Sequence, residues 1–181
     1  MTFKKIRQNL LFIPIIFLIN SCISYSFTGA SIDYNKVKTI SISNFYNETG
    51  LGPSYISQEF TNKLQDFFQQ NTNLIIVEGG GDLQIDGSII QFDYKPLAPV
   101  AGGNTEYANT DAAGVEQLII TVKASFLNIS DDEFDFDNRS FSQNAQYDPS
   151  VTSRVAAEPE LTDEILDQIV LDIFNATVAN W

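Results

Sequence analysis

From Leu118 to Phe126 the chain alternates, with Leu118, Ile120, Val122, Ala124 and Phe126 on one side of an extended segment and Thr121, Lys123 and Ser125 on the other. A period of two is that of a strand with one dry face and one wet face. Near the C-terminus the period changes: Leu166, Ile169, Val170, Ile173, Phe174 and Thr177 fall at i, i+3, i+4, i+7, i+8 and i+11, one stripe of a helix read as running from Leu161 onward. Asp163, Glu164, Asp167, Gln168 and Asp172 stand mostly opposite, and the acids are expected in the first turn, where they complement the positive end of the helix dipole. Burying Leu166, Ile169, Val170, Ile173 and Phe174 contributes about 1.5–3 kcal/mol each before conformational entropy is charged. A one-striped helix and a one-faced strand are each satisfied only by another layer, so the helix must lie on sheet.

The remaining elements are read the same way. Val37 to Phe45 alternates as a first strand, with Ile40 and Ile42 on one face and Thr39, Ser41 and Ser43 on the other. Pro53 can open a helix, because its missing N–H would be unpaired there anyway. Ile56, Phe60, Leu64, Phe67 and Phe68 give that helix one apolar face ending near Asn71. Leu74 to Val77 is a short strand stopped by a turn at Gly79-Gly80-Gly81. In the next run Leu83, Ile85 and Ile89 share one parity and Ile90, Phe92 and Tyr94 the other, which predicts a β-bulge between Gly87 and Ile90 or two covered faces. Pro96 to Val115 has no period; loops of that length are functional or unstructured, and contact with a partner is the expectation. Phe134 to Tyr147 is a further strand, paired back as a hairpin through the turn Asp131-Asp132-Glu133, and Asp148 to Glu160, with two prolines, is a linker. The expected fold class is α+β: a two-layer sandwich of a mainly antiparallel or mixed sheet of four to five strands, with two helices packed on one face.

At the N-terminus Lys4, Lys5 and Arg7 precede the apolar run Leu10–Ile19, and Asn20-Ser21-Cys22 follows. This is the order of a signal peptide. A membrane-spanning helix is the competing reading, but it needs about 20 apolar residues, and this run is about half that and holds Pro14. Ile19-Asn20-Ser21-Cys22 resembles a lipobox, which makes residues 1–21 a removable signal peptide and Cys22 the lipid-attachment residue. The alternative is a plain secretory signal beside an accidental cysteine. Lipobox cysteines carry several acyl chains, such as palmitate, and at about 0.8 kcal/mol per buried methylene more than one chain gives stable anchoring. The expected organisation is a signal peptide over 1–21, a lipid-anchored tether over 22–36 and a single α+β domain over 37–181. Of the 10 basic and 23 acidic residues, three basic ones lie in the signal. The rest of the chain therefore carries seven basic residues against 23 acidic, a net charge of −16. Such a field repels phosphate backbones and excludes a nucleic-acid partner.

Histidine is absent and Cys22 is the only cysteine, so Ser-His-Asp and Cys-His nucleophiles, disulfides and cysteine metal clusters are excluded. No cofactor or metal is expected. The acids from Asp131 to Asp137 are read as a solvated turn rather than paired catalytic carboxylates. They also lack the sixth-position glycine and late glutamate of an EF-hand. Gly79-Gly80-Gly81 is followed by no Lys-Ser or Lys-Thr and opens no helix, which argues against a phosphate cradle. The sequons at Asn47, Asn128, Asn138 and Asn175 carry no weight in a bacterial lipoprotein. Phe134, Phe136, Phe141 and Tyr147 are read as core packing, with contact to acyl chains or to another protein as the functional alternative. Lys36, Lys38, Lys63, Lys95, Lys123, Arg139 and Arg154 are scattered and form no phosphate-binding patch.

Several stretches together resemble one family: Cys22 through Ile32, Val37-Lys38-Thr39-Ile40-Ser41-Ile42, Gly81-Asp82-Leu83-Gln84-Ile85-Asp86-Gly87, Leu118 through Val122, and Asp172 through Trp181. They are similar to LptE, in its Bacteroidetes form. The resemblance implies a non-enzymatic, periplasm-facing lipoprotein of the cell outer membrane that plugs and stabilises the β-barrel of LptD during lipopolysaccharide insertion. It also implies a sheet with two helices on one side, and contact with lipopolysaccharide itself, for which the sequence offers no basic cluster. Ile23-Ser24-Tyr25 lacks the acidic run of an inner-membrane retention or surface-export signal, which favours outer-membrane attachment. The alternative function is a periplasm-facing lipoprotein module binding another envelope component, a glycan or a different barrel. A carboxylate-only hydrolase is a third class.

Overall fold

The computed structural model describes residues 32–97, 115–131 and 134–178. Within them the chain forms β1 (Thr39–Ile42), β2 (Tyr46–Asn47), α1 (Ile56–Asn71), β3 (Ile75–Val77), β4 (Leu83–Pro96), β5 (Glu116–Asn128), β6 (Phe136–Tyr147) and α2 (Arg154–Thr177). One mixed sheet results, in the order β3-β1-β4-β5-β6, with β2 also paired to β4. The pairs β4/β5 and β5/β6 are antiparallel, whereas β1 runs parallel to both β3 and β4. The parallel part follows from α1, since a helix-length crossover returns β3 beside β1 in the same direction. The first strand, expected over Val37–Phe45, is shorter, and a separate β2 follows it: β1 pairs with Leu83–Ile85 and β2 with Ser88–Ile89, along the same edge of β4.

Two irregularities keep the apolar sides in phase. Ile89 lies opposite Val122 and Gln91 opposite Thr121, so Ile90 is the extra residue of a bulge, 37% exposed. The expected parity switch is this bulge, and it returns Phe92 and Tyr94 to the side of Ile85 and Ile89. In β6, Arg139 lies opposite Ala124 and Phe136 opposite Phe126, leaving an extra residue beside Ser125. Asn138 takes φ 53° there, the left-handed region that asparagine tolerates better than most residues. Phe136 thereby meets Phe126, with ring centroids 5.8 Å apart.

Both helices cover the face that carries Ile85, Ile89, Ile120, Val122 and Phe141. Helix α1 buries Ile56, Phe60, Leu64 and Phe68, and α2 buries Leu161, Ile165, Leu166, Ile169, Val170, Ile173 and Phe174. The helices meet where Phe67 and Phe68 stand edge-on to Phe174, at 5.0 and 5.1 Å.

The linker expected over Asp148–Glu160 is shorter than the prolines suggest. Helix α2 begins at Arg154 and contains Pro159. Proline removes one backbone donor, whose partner would have been the carbonyl of Val155. Val155 is 85% exposed, so water can satisfy that carbonyl and the helix continues. The turn that does stop the chain is Asp148-Pro149-Ser150, where the Asp148 carboxylate accepts the Ser150 N–H (2.8 Å) and hydroxyl (2.6 Å). The early start also moves the acids: no acidic residue lies in the first turn of α2. Asp163 and Asp167 instead hold the Lys63 ammonium of α1 at 2.7 and 2.6 Å. Burial alone would lower the Lys63 pKa, but the two carboxylates outweigh it and raise it.

The stretch Gly81-Asp82…Gly87 is a structural joint. A Cβ at Gly81 would stand 2.5 Å from the Ser41 nitrogen, and one at Gly87 would meet the Lys123 carbonyl oxygen and, at 2.6 Å, the Phe45 ring. Asp82 Oδ2 accepts the N–H groups of Lys38 (2.9 Å) and Thr39 (3.0 Å) and the Thr39 hydroxyl (2.9 Å), pinning the start of β1 to the start of β4. The backbone bond from Lys38, then the bonds from Thr39, hold the Asp82 carboxyl below the usual carboxylate range.

Gly87→Ala should destabilise the fold by about 1–3 kcal/mol or more, because backbone must move to admit the methyl group. Gly79→Ala, whose Cβ meets nothing within 4 Å, serves as the control in urea unfolding. A carboxyl with a depressed folded pKa contributes stability that is present above its unfolded pKa of about 3.9 and lost as pH falls through its folded value. Asp82→Asn should therefore be less stable than the parent at pH 7, with the difference shrinking under acid below about pH 4. Melting temperatures measured from pH 7 down to pH 2 check this; a constant difference would refute it.

Candidate interaction surface

Cys22 lies outside the described residues, as do most of the loop Pro96 to Val115 and the acids Asp132 and Glu133. The described chain begins at Ile32, and Ile32 and Tyr34 pack against the core. It enters beside a cavity of about 100 Å3, walled by Ile32, Leu83, Phe126, Phe134 and Val178, where β4 starts and α2 ends. The long loop leaves from the far end of β4, where Leu97 N–H bonds the Val115 carbonyl at 2.9 Å.

That loop base is clamped by a polar cluster. Arg154 Nη2 donates to Glu116 Oε2 at 2.8 Å, and the Tyr147 hydroxyl donates to the same oxygen at 2.5 Å. The Arg154 guanidinium stands 4.4 Å over the Tyr94 ring, while the Tyr94 hydroxyl donates to Glu158 at 3.0 Å. Burial first, and the neighbouring carboxylates second, push both phenols above their usual pKa. The bond from Tyr147, then that from Arg154, pulls Glu116 down. The first turn of α2 is thus tied to the ends of β4, β5 and β6.

The other sequence candidates divide. Asp135 accepts the Asn128 N–H at 2.7 Å and Asp137 the Ser125 hydroxyl at 2.9 Å, so these acids brace the β5–β6 hairpin. Among the described residues no group of three or more acids, cysteines or histidines is placed to hold a metal ion. Of the aromatic set, Phe141 is buried, Phe136 packs 5.8 Å from it with Arg139 over both rings, and Tyr147 meets Tyr94. Phe134, 41% exposed at the cavity mouth, is the member that faces solvent. The basic residues stay dispersed: Lys63 and Arg154 are bound to carboxylates, Lys36 lies 3.9 Å from Asp33, and Arg139 is stacked on rings.

What the sequence did not single out is the whole face of the sheet away from the helices. It presents Gln84, Asp86, Ser88, Gln91 and Asp93 from β4, Gln117, Ile119, Thr121, Lys123, Ser125 and Leu127 from β5, and Ser140, Ser142, Asn144 and Gln146 from β6, a mainly polar set with two apolar members. Thr121 Oγ1 donates to Gln91 at 2.9 Å and shares a hydrogen bond with Ser142 at 2.9 Å, which links three strands by side chains alone. Where β2 adjoins, a polar concavity of about 470 Å3 is lined by Asn44, Glu48, Asp86, Lys123 and Asn138, beside Tyr46, which is 71% exposed. The alternation of Thr121, Lys123 and Ser125 announces this face; its extent depends on pairing partners far along the chain.

No described helix is long and apolar enough to cross a membrane. No curated protein matches the chain. Among solved structures it is similar to an uncharacterized lipoprotein B from Nitrosomonas europaea, with 14% identity, a TM-score of 0.47 and coverage of 76% of this chain and 79% of that one. It is also similar to the rare lipoprotein B from Shewanella oneidensis, with 13% identity, a TM-score of 0.46 and coverage of 75% and 89%. A minor lipoprotein from Acinetobacter baumannii shows 10% identity, a TM-score of 0.45 and coverage of 76% and 87%. The lipopolysaccharide-assembly family model, LptE, matches residues 37–177, from just before β1 to the end of α2, and the chain belongs to that family.

Proposed function

We propose that this lipopolysaccharide-assembly protein is held on the outer membrane through acylated Cys22, faces the periplasm, and occupies the LptD β-barrel as a plug that stabilises it during lipopolysaccharide insertion. The observation that carries the plug is the sheet face away from the helices, whose side chains are mainly amides, hydroxyls and scattered charges, with Ile119 and Leu127 among them. The lumen of a membrane barrel is polar and hydrated, so the polar groups of such a face can find hydrogen-bond partners or water against it. The role is mechanical: the protein fills space and holds the barrel wall, and no reaction is assigned to it. Acyl chains rather than surface charge supply the attachment, since a strongly acidic protein gains nothing from anionic lipid.

Two measurements test the proposal. Cys22→Ser should stay uncleaved, take up no labelled fatty acid and leave the outer-membrane fraction. A variant that still fractionates with that membrane, uncleaved and unlabelled, would remove the basis of the anchoring. A tagged LptD should co-purify the full-length lipoprotein, and depletion of the lipoprotein should reduce both intact LptD and surface lipopolysaccharide. Unchanged surface lipid with an intact barrel would reject the plug in favour of a different envelope partner.

A further inference from the structure

We infer that the free edge of β6 receives an extended segment of the barrel partner as an additional strand of the sheet; this rests on the partnership proposed above. Among the described residues strand β6 ends the order β3-β1-β4-β5-β6 and pairs with β5 alone. In an antiparallel ladder, alternate residues of an edge strand point N–H and C=O away from the sheet. Among the described residues, no backbone hydrogen bond outside the β5 ladder reaches β6.

Exposed edges are usually guarded by brevity, charge, proline or a bulge. The opposite edge, β3, is guarded by being three residues long. The guards of β6 crowd at its start: Asp137, Arg139 and the left-handed Asn138. Ser140 to Tyr147, Ser-Phe-Ser-Gln-Asn-Ala-Gln-Tyr, holds neither charge nor proline, in a chain whose net charge is −13. This stretch is also held in place before any partner arrives, because Gln143 donates to Asp172 of α2 at 2.6 Å and Phe141 and Ala145 are buried. A prepositioned edge binds without the cost of ordering itself.

The charge decides the occupant. Two copies of so acidic a chain repel each other, so a second copy is disfavoured at this edge. A barrel wall has no free edge of its own, so the segment must come from a part of the partner outside the wall. Its side chains should alternate, polar beside Ser142, Asn144 and Gln146, and apolar beside Phe141 and Ala145.

Backbone hydrogen exchange on the full-length lipoprotein, free and co-purified with the barrel, tests this. In the free chain the outward amides of Ser140–Tyr147, about four in number, should exchange fast; in the complex they should slow by about tenfold or more. Asn144→Lys with Gln146→Lys, both at exposed positions, should leave the melting temperature of the free chain unchanged and cut recovery of the complex. The same two charges placed at Ile90 and Leu127, exposed positions of β4 and β5 away from the edge, should not. A complex that forms with β6 amides exchanging as in the free chain, or equal losses from both double variants, would overturn the edge pairing and leave the partnership standing. If no complex forms, the partnership fails and the edge pairing with it.

Discussion

The structure depends on β5. It is paired on both sides over nearly its whole length, and Leu118, Ile120, Val122, Ala124 and Phe126 along it are all nearly or fully buried. Two long partners must each keep their apolar residues on that side for 12 or more residues, which a twisted sheet does not hold without correction. The bulges at Ile90 and Asn138 supply the correction, one in each partner. With the phase kept, one face of the sheet is mainly apolar and fixes where both helices lie, and the other is mainly polar.

Membership of a family of assembly proteins fits the kind of motif the chain carries. The stretch from Gly81 to Gly87 serves the joint between β1, β4 and β5. Gly81 and Gly87 are needed because backbone or a ring occupies the space of a side chain, and Asp82 because three donors at the start of β1 require one acceptor. These residues serve packing and backbone pairing.

The layers, the helix stripes and the bulge in β4 were legible from apolar period alone, because burial of one face leaves a phase in the sequence. Elements set by distant partners were less so. The start of α2 was hidden by Pro159, and only the exposure of Val155 shows why that proline is tolerated. Asp163 and Asp167 look like dipole partners in sequence and prove to be partners of Lys63, about 100 residues away. The open polar face was legible in β5 but not in β4 and β6, where serine, asparagine and glutamine have no apolar contrast strong enough to declare a period.

Charge and topology together limit how this acidic protein can take part in lipid assembly. Lys63 and Arg154 are committed to carboxylates and Arg139 to aromatic rings, so the described surface has no group of cations free to gather around lipid phosphates. The described chain enters at the Leu83 end of β4, and the loop base held by Arg154, Glu116 and Tyr147 lies at the Pro96 end. At about 3.3 Å per residue those ends are about 45 Å apart, comparable to the full thickness of a bilayer. Under the proposed anchoring, the chain from Cys22 joins the described fold at one pole, and the base of the long loop lies at the other. The polar sheet face and the open edge of β6 run between them along the length that a barrel wall would cover.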